Sequence, residues 1–366
     1  MVGGVGMIDA NDQAIFLQKV LHNLPEASGN ENKTKAVLME FLSGYPDLQV
    51  VDKGKWFYAV HKEGPCVPSV AFRSEMDAMV GVDGQTYHGC GHDGHTAIVA
   101  ALAAWTSGKT LGKNVYFLFQ HAEETGEGAQ ECVQLFDEES VDALYGFHNC
   151  PGYPAGTILL LPNTVACASR GLTLQFEGKQ AHAADPDAGN NPIFPMAEFF
   201  SKWKELTDPE SFDGMVLATP ICINAGSHAF GVAAGSGEIG LTLRSWYNSD
   251  LQKLEQDLIA WAAELAQKAG VQLKHTIQDV FYATVNDPKI FRKCETAVHK
   301  AGLASMTLRE PFRWSDDFGR YCSHVRTCYF GIGSGENAQP LHTPQYQWNN
   351  AVTETALKLF QTIIHE

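Results

Sequence analysis

Four short apolar runs rich in β-branched and aromatic residues, Trp56 to Val60, Ser69 to Arg73, Val115 to Gln120 and Leu144 to Phe147, are separated by stretches of helical character such as Thr96 to Trp105. Strands that alternate with helices pair through crossovers, so this order predicts an α/β fold with a mainly parallel sheet flanked by helices. Ahead of it, Asp12 to Asn23 places Ile15, Phe16, Val20 and Leu21 on one predicted helical stripe, and a second helix is predicted from about Glu31 to Leu42. The pattern changes near Arg170. Strand-like Leu172 to Phe176, a helical stretch near Pro195 to Leu206, strands at Val216 to Asn224 and Gly240 to Trp246, a periodic helix at Leu251 to Lys268 and a strand at Val271 to Ile277 follow in turn. That order is β-α-β-β-α-β, a ferredoxin-like split βαβ unit inserted into the first. After the turn signal Asn286-Asp287-Pro288 the helices and short strands of the first domain resume. The expected division is 1–168 and 282–366 for one domain and 169–281 for the other. A length of 366 residues, beyond the roughly 250 to 300 at which one core stops growing, agrees with two.

Composition excludes several classes of function. Lys and Arg number 26 against 42 Asp and Glu, a net charge of −16 that repels a phosphate backbone and argues against nucleic acid as a partner. The longest purely apolar stretch, Ala97 to Trp105, is far short of the roughly 20 residues of a membrane span. Met1 to Gly6 has neither the basic start nor the apolar core of a secretory signal, so cytoplasmic residence is the expectation. Nine scattered cysteines without a Cys-x-x-Cys pair fit reduced thiols better than a disulfide framework.

Several polar residues follow the strand candidates directly: Asp77 after the run ending at Arg73, Glu123 and Glu124 after Gln120, and His148 after Phe147. Groups just past the carboxyl ends of parallel strands meet at one sheet edge, where ligands bind. Taken singly, each is as readily a helix cap or a solvated loop residue. The densest run is His88-Gly89-Cys90-Gly91-His92-Asp93-Gly94-His95. Thiolate and imidazole suit zinc and similar metals, and positions two apart in an extended segment share a face, so Cys90 and His92 can bind together. Asp93 is then either the N-cap of a helix beginning near Gly94 or a partner for an imidazole. The bland alternative is a Gly-rich turn with a buried Cys.

In His121-Ala122-Glu123-Glu124, adjacent residues of an extended chain point opposite ways, so one Glu can ligate a metal while its neighbour takes a proton from water. A charged pair opening a helix is the ordinary reading of the same letters. His342 lies in Pro340-Leu341-His342-Thr343-Pro344, a loop bracketed by prolines that would hold it fixed.

Together these runs resemble the Cys-containing amidohydrolase branch of the zinc exopeptidase superfamily, which includes hippurate hydrolases, N-acyl amino acid amidohydrolases and auxin-conjugate hydrolases. The resemblance extends from Leu21 to Glu26 and Glu31 to Thr34 through Arg73 to Ala78, Cys90 to His95 and Ala122 to Glu124. It continues at His148, Pro154 to Ile158, Gly178 to Pro186, Arg244, Ser315 to Phe318 and Leu341 to Pro344. It implies that Cys90, His92, Glu124, His148 and His342 ligate two divalent ions, zinc foremost, with manganese, cobalt or nickel as substitutes. Glu123 is then the general base, with Asp77 and Asp93 behind the ligands. His182 matches a histidine that stabilises the oxyanion, from its own or a partner subunit, and Arg244 an arginine associated with the substrate carboxylate. The inserted domain matches a lid through which such enzymes form homodimers. The implied activity is hydrolysis of an N-acyl amino acid or related small amide.

The sequence departs from this pattern in four places. The stretch from Asp77 to Cys90 is short, Gly231-Val232-Ala233-Ala234 stands where Asn-Val-Ile-Pro is usual, His121 replaces a Pro and Asn191 an Asp. A non-catalytic member that binds a ligand is therefore one alternative. Another is a zinc deaminase, from His121-Ala122-Glu123, although its Pro-Cys-x-x-Cys half is missing. Gly235 to Gly240 fits a dinucleotide fingerprint by letters but precedes a predicted strand, and Gly331 to Gly335 is expected to be a turn.

Overall fold

The computed structural model describes Asp9 to Glu366; Met1 to Gly6, where no secretory signal was expected, lies outside the described residues. Twelve strands carry the two sheets. They are β1 Leu48–Asp52, β2 Phe57–His61, β3 Ser69–Glu75, β4 Asn114–Gln120, β5 Ala143–Pro151, β6 Ile158–Leu160, β7 Ala168–Glu177, β8 Val216–Ala225, β9 Ser236–Ser245, β10 Gln272–Phe281, β11 Ser305–Thr307 and β12 Thr327–Gly335. The main helices are α1 Ala10–His22, α2 Asn32–Ser43, α3 His92–Thr106, α4 Ile193–Phe199, α5 Asn248–Ala269, α6 Pro288–Lys300 and α7 Asn350–His365.

The chain divides into two compact units, Met1–Val165 with Thr284–Pro311 and Asp316–Glu366, and Ala166–Ala283 with Phe312–Ser315. The first holds an eight-stranded sheet in the order β1-β2-β4-β3-β5-β12-β6-β11. Its centre, β4-β3-β5-β12, is parallel throughout, while β2 is antiparallel to both of its neighbours. Helices cover both faces of a parallel sheet, so its strands bury every position, as β3 and β4 do. Helix α3 is buried everywhere except at Trp105, which explains its all-round apolar sequence.

Two expectations fail here for identifiable reasons. The buried stripe of α1 is Ala10, Ala14, Leu17, Gln18 and Leu21, whereas Phe16 is 69% exposed. Of the expected stripe Leu21 is buried, but its companions are Ala10, Ala14, Leu17 and Gln18 instead of Ile15, Phe16 and Val20. Gly331 to Gly335 is no turn but the second half of β12, paired in register with His148 to Pro151. Gly331 and Gly333 are needed there because a Cβ would meet Cys150 Sγ at 2.9 Å and the Pro154 carbonyl at 2.2 Å. Strand β5 consequently runs on to Pro151, so His148 sits within the strand rather than after it.

The second unit is a four-stranded antiparallel sheet in the order β8-β9-β7-β10, with α4 and α5 packed on it. The chain order of its elements is β-α-β-β-α-β. Burial alternates along β7, as expected when one face is covered. Among the described residues, no helix is long and apolar enough to cross a membrane.

Candidate metal centre

Glu124 follows β4 and His342 follows β12, His148 lies within β5, and Cys90 and His92 stand at the start of α3. Cys90 and His92 are not on an extended segment. The chain turns at Gly91, φ +94°, and His92 is the first residue of α3. Only glycine fits this turn, since a Cβ would meet Asn149 Oδ1 at 2.7 Å and the Tyr346 hydroxyl at 2.8 Å. Asp93 therefore lies inside the helix and does not cap it. Its carboxylate instead accepts from Gln18 Nε2 at 2.8 Å and meets His22 Nδ1 at 2.7 Å, the partner-for-an-imidazole alternative, on a histidine outside the expected ligand set.

After β4, Ala122 takes φ +49°, costly for a residue with a Cβ. The buried Glu31 carboxylate holds it there, accepting the Ala122 N–H at 2.8 Å. The following turn brings both carboxylates to one nitrogen instead of sending them apart: Glu123 Oε2 lies 3.8 Å and Glu124 Oε1 4.0 Å from His92 Nε2. Asp77, fully buried, ties the ends together. It accepts from His92 Nδ1 through its backbone oxygen at 3.0 Å and Oδ1 at 3.2 Å, and from the Glu124 N–H through Oδ2 at 2.9 Å.

His342 arrives from the loop after β12 with φ +62°, its N–H bonded to the Gly89 carbonyl at 2.8 Å. The short Asp77 to Cys90 stretch, folded as a hairpin of Met79–Val80 and Thr86–Tyr87, braces the same loop through the Tyr87 hydroxyl, 3.2 Å from the His342 carbonyl. Cys90 Sγ is then 3.3 Å from His148 Nε2 and 3.4 Å from His342 Nε2, and His342 Nε2 is 3.8 Å from Glu124 Oε2.

The donor atoms form overlapping groups, Cys90-His92-His148, Cys90-Glu124-His342 and His92-Glu123-Glu124, each within 4.8 Å. Buried polar atoms ordinarily find hydrogen bonds, yet His92 Nε2 and Glu124 Oε1 are buried without one. The Nδ1 atoms of His92 and His148 both face acceptors, Asp77 and the Asn149 carbonyl, so each Nε2 turns a lone pair inward. Thiol, imidazole and carboxylate aimed at one buried space are a donor set that fits a divalent cation.

Electrostatics point the same way. Burial, and then Glu124, push the Cys90 thiol well above its usual range. Burial, followed by the carboxylates of Asp316, Glu124 and Asp317, does the same to Glu123. Burial lowers the His92 imidazole, but Cys90 and Asp77 more than reverse it. A cation relieves this crowding of acceptors.

Sequence reasoning missed the group behind Glu123. Arg73, wholly buried in β3, pairs with Glu75, with Asp316 at 3.2 Å and with Asp317 at 2.6 Å. Asp317 donates its N–H to Glu123 Oε1 at 3.3 Å, and its own carboxyl is pushed up to about 7 by burial, with Arg73 opposing and Asp316 adding. The signal was present: an arginine at the end of the apolar run Ser69 to Arg73, within a buried strand candidate, requires buried anions.

The other two candidates belong to the second unit. His182 is exposed, with Nδ1 accepting from the Ala184 N–H at 3.0 Å. The departing segment Gly231 to Ala234 holds its loop through backbone bonds, from Ala183 to Gly231 and from Ala233 to Ala181, both 2.9 Å. Arg244, on β9, donates to the Arg313 carbonyl at 3.1 Å and to Ser315 Oγ at 2.9 Å.

Known proteins share this architecture over their full length. An N-acetyldiaminopimelate deacetylase of Exiguobacterium sibiricum is 25% identical over 350 residues, covering 91% of this chain and 93% of its own. A Bacillus subtilis structure described as a dinuclear metal binding peptidase of the M20 family superposes with a TM-score of 0.82 at 21% identity, covering 97% of this chain and 98% of its own. An aminobenzoyl-glutamate utilization protein of Klebsiella pneumoniae does so with a TM-score of 0.74 at 18% identity, covering 97% and 96%. Residues 67–366 match the peptidase family M20/M25/M40, and the chain belongs to that family of metallo-hydrolases.

Proposed function

We propose that this family member hydrolyses the amide bond of an N-acyl amino acid or related small amide, with Cys90, His92, Glu124, His148 and His342 holding two divalent ions, zinc foremost. The observation that carries the reading is the convergence of thiol, imidazole and carboxylate donors from four separate segments on one space, buried at Cys90, His92 and His148 and open at His342, with His92 Nε2 and Glu124 Oε1 lacking any hydrogen bond. Cys90 belongs to two of the donor groups, so both would depend on it. Ions held there would polarise the substrate carbonyl and make a bound water more acidic.

The protein's own groups do the rest. Glu123 Oε1 is held by the Asp317 N–H, which leaves Oε2 toward the cluster to take a proton from water and return it to the departing amine. Burial and the neighbouring carboxylates raise its carboxyl, which makes the ionised group a stronger proton acceptor. Asp77 fixes the tautomer of His92. His182 stabilises the oxyanion and Arg244 takes the substrate carboxylate, while the second unit serves as lid and dimer contact; these three roles rest on the resemblance. The deacetylase relatives favour an N-acyl amino acid as substrate.

The test is a panel of N-acetyl and N-benzoyl amino acids assayed with wild type and Glu123→Gln. Wild type is expected to release the amino acid from at least one class, and the variant to lose about 10²- to 10⁴-fold in kcat with its metal content unchanged. Metal-loaded wild type that cleaves none of them contradicts the reading.

A further inference from the structure

At the amino ends of the central strands, on the opposite edge of the sheet from Glu123 and His92, lies a cavity of about 220 Å³. By volume it holds about seven waters. Lys113, Lys289, Lys293 and Arg326 line it, although the chain as a whole carries −16. Lys113 and Arg326 directly precede β4 and β12, and Lys289 and Lys293 come from the first half of α6. Among the described residues, Lys289, Lys293 and Arg326 form no ion pair, and Lys113 donates only to the Ile363 carbonyl at 3.3 Å.

The two carboxylates that face the same space are already engaged. Asp142 accepts the Ser69 N–H at 2.9 Å, and Glu366 pairs with Lys300 at 2.9 Å. A second observation is independent of charge. Tyr145 of β5, only 2% exposed, lines the cavity, and its hydroxyl makes no hydrogen bond among the described residues. The hydroxyl oxygen itself stays accessible, so it is open to a ligand in the cavity.

We infer that this cavity binds a small phosphate-type dianion, with Arg326 and the lysines neutralising its charge and the Tyr145 hydroxyl donating to one of its oxygens. Charge supports this ligand class: four cationic side chains line the cavity against the two carboxylate side chains of Asp142 and Glu366, which favours an anion. Its size excludes a polymer, and the acidic remainder of the chain repels one. The seven residues of β3 separate the cavity from the metal centre by roughly 20 Å, so the two sites do not share a ligand.

Titration calorimetry at constant ionic strength tests the inference with two probes, inorganic phosphate and glycerol phosphate, on wild type, Lys293→Ala/Arg326→Ala and Tyr145→Phe. Saturable binding to wild type is expected, at least tenfold weaker in the double variant and several-fold weaker in Tyr145→Phe, with the melting temperatures of both variants near that of wild type. Tighter binding of glycerol phosphate assigns the site to a phosphoryl group on a metabolite, and tighter inorganic phosphate to the free ion. No saturable binding of either probe, or a double variant that binds as wild type does, overturns it.

Discussion

In the eight-stranded sheet, Arg73 has no exposed side-chain surface and is ringed by Glu75, Asp316 and Asp317. In the four-stranded sheet, the cross-strand pair Lys274 and Glu177 stands 60% and 44% exposed. The first sheet is covered on both faces, so a charge placed in it must be paired, and its partners become fixed points from which Glu123 is held. The second covers one face, so its charges and its candidate residues, His182 among them, remain in contact with water. Burial thus fixes Cys90, His92, Glu123 and His148 of the candidate site, while the exposed His342 and, in the second unit, His182 are placed by loops and backbone hydrogen bonds.

That contrast can be broken by substitution. Arg73→Met should cost about 3 to 5 kcal/mol in urea unfolding, because it strands three buried carboxylates. A loss below about 1 kcal/mol would mean the cluster is not what holds the sheet's edge. His182→Ala should lower kcat by about 10²- to 10³-fold, as removal of an oxyanion donor does, without altering metal content or stability. A change within threefold would restrict His182 to a surface role. Arg244→Gln should raise KM about tenfold, equivalent to about 1.4 kcal/mol, for amides that carry a carboxylate and leave carboxylate-free amides unchanged. Equal effects on both would assign Arg244 to bracing Arg313 and Ser315 instead. Smallest of all, Glu177→Gln should change unfolding free energy by about 0 to 1 kcal/mol, the usual worth of an exposed pair.

The order of elements was readable in the sequence because the two sheets leave different traces: continuous apolar runs in β3 and β4, alternation in β7. Boundaries and faces were harder. Glycines that read as a turn are the close-packed second half of β12, and α1 turns alanines inward where Phe16 seemed the anchor. For the site, residue type picked out Cys90 and His92, position past a strand end picked out Glu123 and Glu124, and His342 joined them through the family resemblance, although the local geometry at Cys90 and His92 is a left-handed glycine and a helix start instead of an extended chain. Glu31, Asp316 and Asp317 fall within the segments that carry the resemblance, but their roles were not legible because they are long-range. Each acts through a backbone N–H or a buried charge supplied by a distant segment, which no spacing in the chain records.

The central claim is that donors scattered from Cys90 to His342 hold a pair of cations. Elemental analysis of protein purified without chelator, wild type against Cys90→Ser, tests it most directly. About two divalent ions per wild-type chain, with marked loss in the variant because Cys90 stands in two donor groups, is the expected result. Metal-free wild type after incubation with zinc, or a variant that retains a full complement, would contradict the account.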